Sequence, residues 1–285
     1  MMTPFKADGE LNVERLEEFT EYLIDGGVHG LFPSSSIGEA SSMSAEERKR
    51  VIDVVRETVP GEVPVIPGTG SSDLTTALEL TGYAEETGCD GVVVVTPYYL
   101  KPDQEGLYDY FGRIADSTEL PIFMYQIPMA TGVEIYPDTA ASLSGRYDNI
   151  VGMKDSSGNL SRLMETRRKT GDDFLIFQGL DTLLLPSLQV GCAGGMVGTT
   201  NAIPGPAVRV FNLFREGLME EAMEQQIGVL GPLFEACMSA GVFPAGFKET
   251  ARILGLDIGP TRNPIRGLTL SERETLIDSL MALDL

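Results

Sequence analysis

Seven short apolar runs most constrain what this chain can fold into. They cover 28–33, 63–67, 91–96, 121–127, 149–153, 174–178 and 194–198 and are rich in Val and Ile. They are continuous rather than alternating, as strands buried on both faces of a parallel sheet are. Helical patterns lie between them at 73–87, 104–117, 137–145, 160–170 and 180–190. Ser44-Ala45-Glu46-Glu47 has capping-box spacing and opens a further helix to about Val59, which Pro60-Gly61 ends. The repeated βα unit predicts a (β/α)₈ TIM barrel more than an open doubly wound sheet. No GxGxxG follows any strand, and Gly68-Thr69-Gly70 is too short for a dinucleotide fingerprint. A barrel needs eight strands, and the first should precede residue 10, where only Met2-Thr3-Pro4-Phe5 is available. A short or missing first strand is expected, or a shortened start.

After about residue 204 the pattern is helical only, at 206–216, 219–239, 243–254 and 271–282. The last stretch opens with a second capping-box spacing, Ser271-x-x-Glu274. The expected organisation is a barrel over 1–215 with a helical C-terminal extension over 216–285 packed on it.

The 285 residues, 42% hydrophobic and 22% charged, have an ordinary globular balance. No apolar run reaches the ~20 residues of a membrane helix, and no signal peptide is legible, so a cytoplasmic protein is expected. Forty-two acidic against 21 basic residues give a net charge of −21, a field that makes nucleic acid a poor partner. The acidity is spread over stretches such as 14–21 and 216–224. A solvated surface explains it; adaptation to a salt-rich, halophilic cytoplasm is the sharper expectation, tested by unfolding at low and at molar KCl. Cys89, Cys192 and Cys237 are far apart and His29 is the one histidine, which leaves no Cys/His metal site to expect. His29 sits in a strand pattern and reads as structural.

Lys154 ends the run Asn149-Ile150-Val151-Gly152-Met153, at what would be the active face of a barrel. A lysine there is solvated, paired or functional. As a nucleophile it must be neutral, which at an ordinary pKa of ~10.4 holds for about one molecule in 2500 at pH 7. Burial in a barrel mouth is one way a protein can favour the neutral form of a lysine. Pairing with Asp155 at the rim is the plainer reading. Two further runs end in tyrosine, at Tyr98-Tyr99 and at Tyr125. Their phenols would relay protons or simply pack. Ser34-Ser35-Ser36-Ile37-Gly38-Glu39 is either a carboxylate cradle or a polar loop with a cap. The glycine-rich stretch 191–198 is equally open between ligand approach and tight packing.

Taken in order, Ser35-Ser36-Ile37-Gly38-Glu39, Thr96-Pro97-Tyr98-Tyr99, Tyr125-Gln126-Ile127-Pro128, Gly152-Met153-Lys154-Asp155 and the glycine-rich loop resemble the dihydrodipicolinate synthase/N-acetylneuraminate lyase family of class I aldolases. Pro244-x-x-x-Lys248 and Gly259-Pro260-x-Arg262-x-Pro264 extend the resemblance over nearly the whole chain. It implies a barrel with C-terminal helices, a homotetramer built as a dimer of dimers, a 2-keto acid substrate, and chemistry without metal or cofactor. It also implies roles. Lys154 forms the Schiff base, Tyr125 relays the proton, Ser36 stands in the hydroxyl relay, and Ser35 and Ser36 bind the keto-acid carboxylate. Tyr99 reaches into a neighbouring subunit's site.

Departures from the synthase pattern guide the expected substrate. Synthases usually carry Arg in the loop after the relay tyrosine, gripping the aldehyde substrate's carboxylate; here Ala130 stands there, and Ile37 replaces the second relay Thr. Pro128-x-Ala130-Thr131-Gly132 is closer to archaeal 2-keto-3-deoxygluconate aldolases. The expectation is therefore cleavage of 2-keto-3-deoxygluconate, or its 6-phosphate, to pyruvate and glyceraldehyde or its phosphate, a step in carbohydrate metabolism. Gly179, Asp181, Gly198 and Thr199 then become candidates for sugar hydroxyls, and Lys101 for a phosphate. The alternatives are a dihydrodipicolinate synthase, a sugar-acid dehydratase, and a non-catalytic keto-acid sensor on the same barrel.

Overall fold

The structure is a computed structural model that describes residues 1–283 and 285. Five parallel strands lie side by side in chain order: β1 (Val92–Val95), β2 (Ile122–Gln126), β3 (Ile150–Asp155), β4 (Leu175–Gln178) and β5 (Gly194–Gly195). The first two apolar runs continue the wall through isolated parallel bridges, Leu31 with Val65 and Gly68 with Val93. They stay single bridges because Pro33, Pro64 and Pro67 have no N–H to give to a ladder. Helices α1 (Val13–Asp25), α2 (Ala45–Thr58), α3 (Leu74–Glu86), α4 (Gln104–Ala115), the short turn α5 (Pro128–Thr131), α6 (Pro137–Arg146), α7 (Leu160–Thr170), α8 (Leu184–Gln189) and α9 (Gly205–Arg215) alternate with the strand positions. This is the TIM barrel. Helices α10 (Met219–Gln225), α11 (Gly231–Ser239), α12 (Ala245–Ile253) and α13 (Leu270–Met281) follow it. No helix among the described residues is long and apolar enough to cross a membrane.

The continuous runs are explained by burial on both strand faces. Val92, Val94, Ile122 and Met124 pack outward against the helices, in the large core. Val93, Phe123 and Tyr125 pack inward, against Phe32, Ile66 and Phe177. β3 breaks the alternation. Ile122 pairs with Ile150, but Phe123 pairs with Gly152, so the register shifts by one residue. Ile150 faces the helices; without the shift Lys154 would too. With it, Lys154 stands opposite inward-facing Tyr125 and Phe177. The irregularity aims the lysine into the barrel.

Other expectations need adjustment. The capping box at 44–47 forms, with Ser44 accepting from Glu47 N–H and Glu47 accepting from Ser44 N–H. The C-terminal one is Thr269 with Glu272, not Ser271 with Glu274, since Ser271 already lies inside the first turn. The stretch 219–239 is not one α-helix: a π turn at Gln226–Leu230 separates α10 from α11. Pro232 cannot donate to the carbonyl four residues back, and the ladder loosens ahead of it. At the N-terminus no parallel strand forms. Phe5 makes one antiparallel bridge to Leu11, and Met2 N–H donates to Asn201 Oδ1 at 2.7 Å.

The C-terminal helices grip the start of the barrel. Lys248 of α12 forms a buried ion pair with Glu39 at 2.7 Å and donates to the carbonyls of Thr3 and Pro260. Burial pushes the Lys248 amine down and the Glu39 carboxylate opposes this. Arg262 binds Glu47 and the carbonyls of Gly9 and Ser42.

Candidate active site

The site lies at the C-terminal end of the strands, in a cavity of about 560 Å³ reached by Lys154, Tyr125, Ser35, Ser36, Ser156 and Gly179. Lys154 is 8% exposed. Its Nζ lies 4.4 Å from the Tyr125 ring centre and 5.1 Å from that of Phe32. Those two rings meet edge to face. Among the described residues Lys154 enters no ion pair. The plain alternative of pairing with Asp155 is absent: Asp155 turns away to accept from Ser157 N–H at 2.7 Å. Burial pushes the Asp155 carboxyl up, against hydrogen bonds from Ser157 and Gln126.

Ser36 donates to the Tyr125 hydroxyl at 3.4 Å, a loose contact of the kind that tightens around substrate. Ser35 accepts from Gly38 N–H at 3.3 Å and donates to Met1 C=O at the same distance. The loop turns sharply: Ser34 and Glu39 both have positive φ, and the Lys248–Glu39 ion pair anchors its far end. Gly179 is there because nothing larger fits. A Cβ on it would lie 1.9 Å from Ser156 Oγ and 2.9 Å from Lys154 Cε.

Three contributors were not legible in the sequence reading. Ser156 Oγ is buried with no hydrogen-bond partner in the described structure, beside Lys154. Its signal was the period of two counted from Lys154. Phe32 forms one wall of the amine's surroundings. The Met1 amine donates to Phe32 C=O and lies 3.3 Å from Ser35 Oγ. Burial, and then the Lys154 charge, push this amine down to about 4.

The remaining predicted residues sit elsewhere or are spoken for. Asp181 borders the cavity, yet its carboxylate accepts from the N–H groups of Gly198 and Thr199 at 3.0 and 2.9 Å and from the Thr199 hydroxyl. Burial pushes its carboxyl up and these bonds oppose that. Asp181 and Thr199 thus fasten the glycine-rich loop to the 181–183 turn instead of offering free groups. Gly198 lines the cavity and packs on Phe247, whose ring lies 2.9 Å from where a Cβ would be. Lys101 is exposed and lies along the backbone of Gly132, outside the cavity. Tyr99 has positive φ, is 91% exposed and is not among the residues that line its own chain's cavity. Thr96 pins the mouth turn by donating to Thr131 at 3.3 Å, and that turn presents Met129 and Ala130 at the rim.

A buried lysine without a counter-ion, over a phenol that contacts a hydroxyl, in a cavity of this size, suits imine formation with a small carbonyl compound. Known proteins agree with that chemistry. A family model described as the dihydrodipicolinate synthetase family matches residues 1–283. A 4-hydroxy-tetrahydrodipicolinate synthase of Methanopyrus kandleri is 38% identical over 286 residues, covering 100% of this chain and 95% of its own. One from Thermus thermophilus is 44% identical over 203 residues, covering 71% of this chain and 68% of its own. The crystal structure of a dihydrodipicolinate synthase from Bacillus anthracis matches with a TM-score of 0.95 at 34% identity, over 100% of this chain and 97% of that one. These similarities overturn the expectation of a 2-keto-3-deoxygluconate aldolase of carbohydrate metabolism and favour its synthase alternative. That expectation leaned on Ala130, one exposed residue in a four-residue turn, whereas the likeness spans the whole chain.

Proposed function

The chain belongs to the dihydrodipicolinate synthetase family of Schiff-base-forming carbon–carbon lyases, and from that premise we propose that it condenses pyruvate with aspartate semialdehyde to 4-hydroxy-tetrahydrodipicolinate. The observation that carries the reading is Lys154, buried without a counter-ion and opposite Tyr125 on the neighbouring strand. The Ser35–Ser36 loop holds the pyruvate carboxylate. Lys154 in its neutral form attacks C2 of pyruvate, and the Tyr125 phenol, in contact with Ser36, passes the proton that lets water leave. The protonated imine draws electrons from C3, so a C3 proton is lost and an enamine forms. Its carbon attacks the aldehyde carbon, and Tyr125 returns a proton to the new alkoxide. The semialdehyde's own amine then displaces Lys154 from the imine carbon and closes the ring. One water is released overall, and the electron sink is the imine itself.

Tyr99 and Leu100, 91% and 79% exposed at the rim, support assembly into a homotetramer in which Tyr99 serves a neighbouring subunit's site. The cytoplasm is the compartment that suits three free, buried cysteines. Steady-state turnover of pyruvate with aspartate semialdehyde, set against pyruvate with glyceraldehyde, tests the assignment. Faster condensation with the semialdehyde is expected; faster turnover of glyceraldehyde would overturn it.

A further inference from the structure

The condensation brings two carboxylates into one cavity, that of pyruvate and that of the aldehyde substrate. The Ser35–Ser36 loop is committed to the first, and Lys154 becomes the imine. Among the described residues that line the cavity Lys154 is the one lysine, and there is no arginine. Elsewhere carboxylates claim the lysines: Lys6 with Glu10, Lys49 with Glu46 and Glu79, Lys169 with Asp138 and Glu165, and Lys248 with Glu39. With 42 acidic residues against 21 basic ones, that is what a lysine should meet. Lys101 is the exception. It is exposed, and among the described residues its ammonium enters no ion pair. Two carboxylates on the flanking segments are engaged: Asp103 accepts from Gly106 N–H at 2.9 Å, and Glu134 pairs with Arg162.

The fold holds Lys101 at the rim. Thr96, just past β1, is tied to Thr131, and the Gln104 amide donates to Glu134 C=O at 2.8 Å and accepts from Tyr136 N–H at 3.0 Å. Between these two clamps the chain turns at Tyr99, with a φ of 73°, and lays the Lys101 side chain on Gly132. A Cβ on Gly132 would lie 2.5 Å from both Cε and Nζ of Lys101. Gly132 closes the turn α5, whose Met129 and Ala130 border the cavity. Two residues separate it from Ala130, a span of at most about 7.6 Å between Cα atoms. A four-carbon stem can carry an ammonium over much of that distance.

We propose that Lys101 grips the carboxylate of the aldehyde substrate from the rim, an inference that rests on the condensation assigned above. The enamine stands on Lys154, inside the barrel. The aldehyde therefore enters with its reacting carbon inward and its charged end toward the mouth, where Lys101 stands. Ala130 is small and leaves the space between them open. Lys101 touches the acceptor away from the bond that forms, so it sets affinity for the acceptor and not the rate of the bound complex. Its ammonium stays in water, so salt screens the grip.

The test is steady-state kinetics of the wild type and Lys101→Met, with pyruvate and aspartate semialdehyde varied in turn and Tm read beside them. Lys101→Met should raise KM for the semialdehyde by about tenfold and leave kcat, KM for pyruvate and Tm unchanged. Lys101→Arg should stay near the wild-type KM, and adding Ala130→Arg to Lys101→Met should bring KM back down. Raising KCl from about 0.05 M to about 1 M should raise KM for the semialdehyde in the wild type and not in Lys101→Met. An unchanged KM for the semialdehyde in Lys101→Met, an equal rise in KM for pyruvate, or the same salt response in both proteins would overturn this inference and leave the condensation standing. A folded wild type that does not turn over the semialdehyde would overturn the condensation itself, and this inference with it.

Discussion

Gly179→Ala probes the packing that fixes the reactive lysine. The added Cβ would sit 1.9 Å from Ser156 Oγ, 3.0 Å from Ser156 Cβ and 2.9 Å from Lys154 Cε. The serine hydroxyl can rotate away but its Cβ cannot, and the lysine Cε can retreat only by turning side-chain torsions that carry Nζ with it. Carbon atoms pack at about 3.5–4.0 Å, so each must retreat by roughly half an ångström or more. Nζ moves with Cε. A misplacement approaching 1 Å costs on the order of a hundredfold in rate. Overpacking of this kind costs about 1–3 kcal/mol, which in a chain of this size lowers Tm by about 2–12 °C. The assay is the rate of borohydride-trapped imine at saturating pyruvate, read beside a thermal melt. Adding Ser156→Gly removes two of the three contacts and should restore part of the rate. Wild-type trapping and an unchanged melt in Gly179→Ala would refute the claim that this glycine exists to seat Lys154.

Other perturbations follow from the same geometry. Ala130→Arg supplies a guanidinium at the mouth and should lower KM for aspartate semialdehyde by about tenfold, with KM for pyruvate unchanged; parallel changes in both would contradict it. Lys248→Met strands the buried Glu39 carboxylate and should cost about 3–5 kcal/mol in denaturant unfolding, while Lys248→Met with Glu39→Leu should recover most of that. The Met1 amine, ordinarily near 8 and pushed down to about 4 when folded, is neutral in the native state. Its contribution is therefore fully present above pH 8 and is lost as pH falls toward 4. Melting temperature should rise with pH across that window, and acetylating the Met1 amine should flatten the slope; identical slopes with the free and the acetylated amine would contradict this.

The barrel was legible because its strands are buried on both faces, and a run such as Val92–Val95 has few other uses. The alternation of such runs with capped helices carried the topology. What sequence pattern could not supply was register. Counted by twos from Ile150, Lys154 should face the helices; the one-residue shift opposite Ile122 and Phe123 reverses it. Ser156 lies two residues on from Lys154 and shares its face in either register, so it becomes a candidate only once Lys154 is known to point inward. Hydrogen-bond bookkeeping was also out of reach. Asp181 and Thr199 looked available for substrate, yet they satisfy each other and the backbone of the glycine-rich loop. Prolines 33, 64 and 67 were visible but their consequence, two runs held by single bridges, was not drawn. Ala130 was given more weight than one rim residue can bear.

The account rests on an imine between Lys154 and a 2-keto acid. Incubation with pyruvate and borohydride, followed by peptide mass mapping, measures it directly. One reduced pyruvate is expected on the peptide that carries Lys154, and none after Lys154→Arg. An adduct on another lysine, or no adduct with the protein folded and pyruvate in excess, would contradict the account.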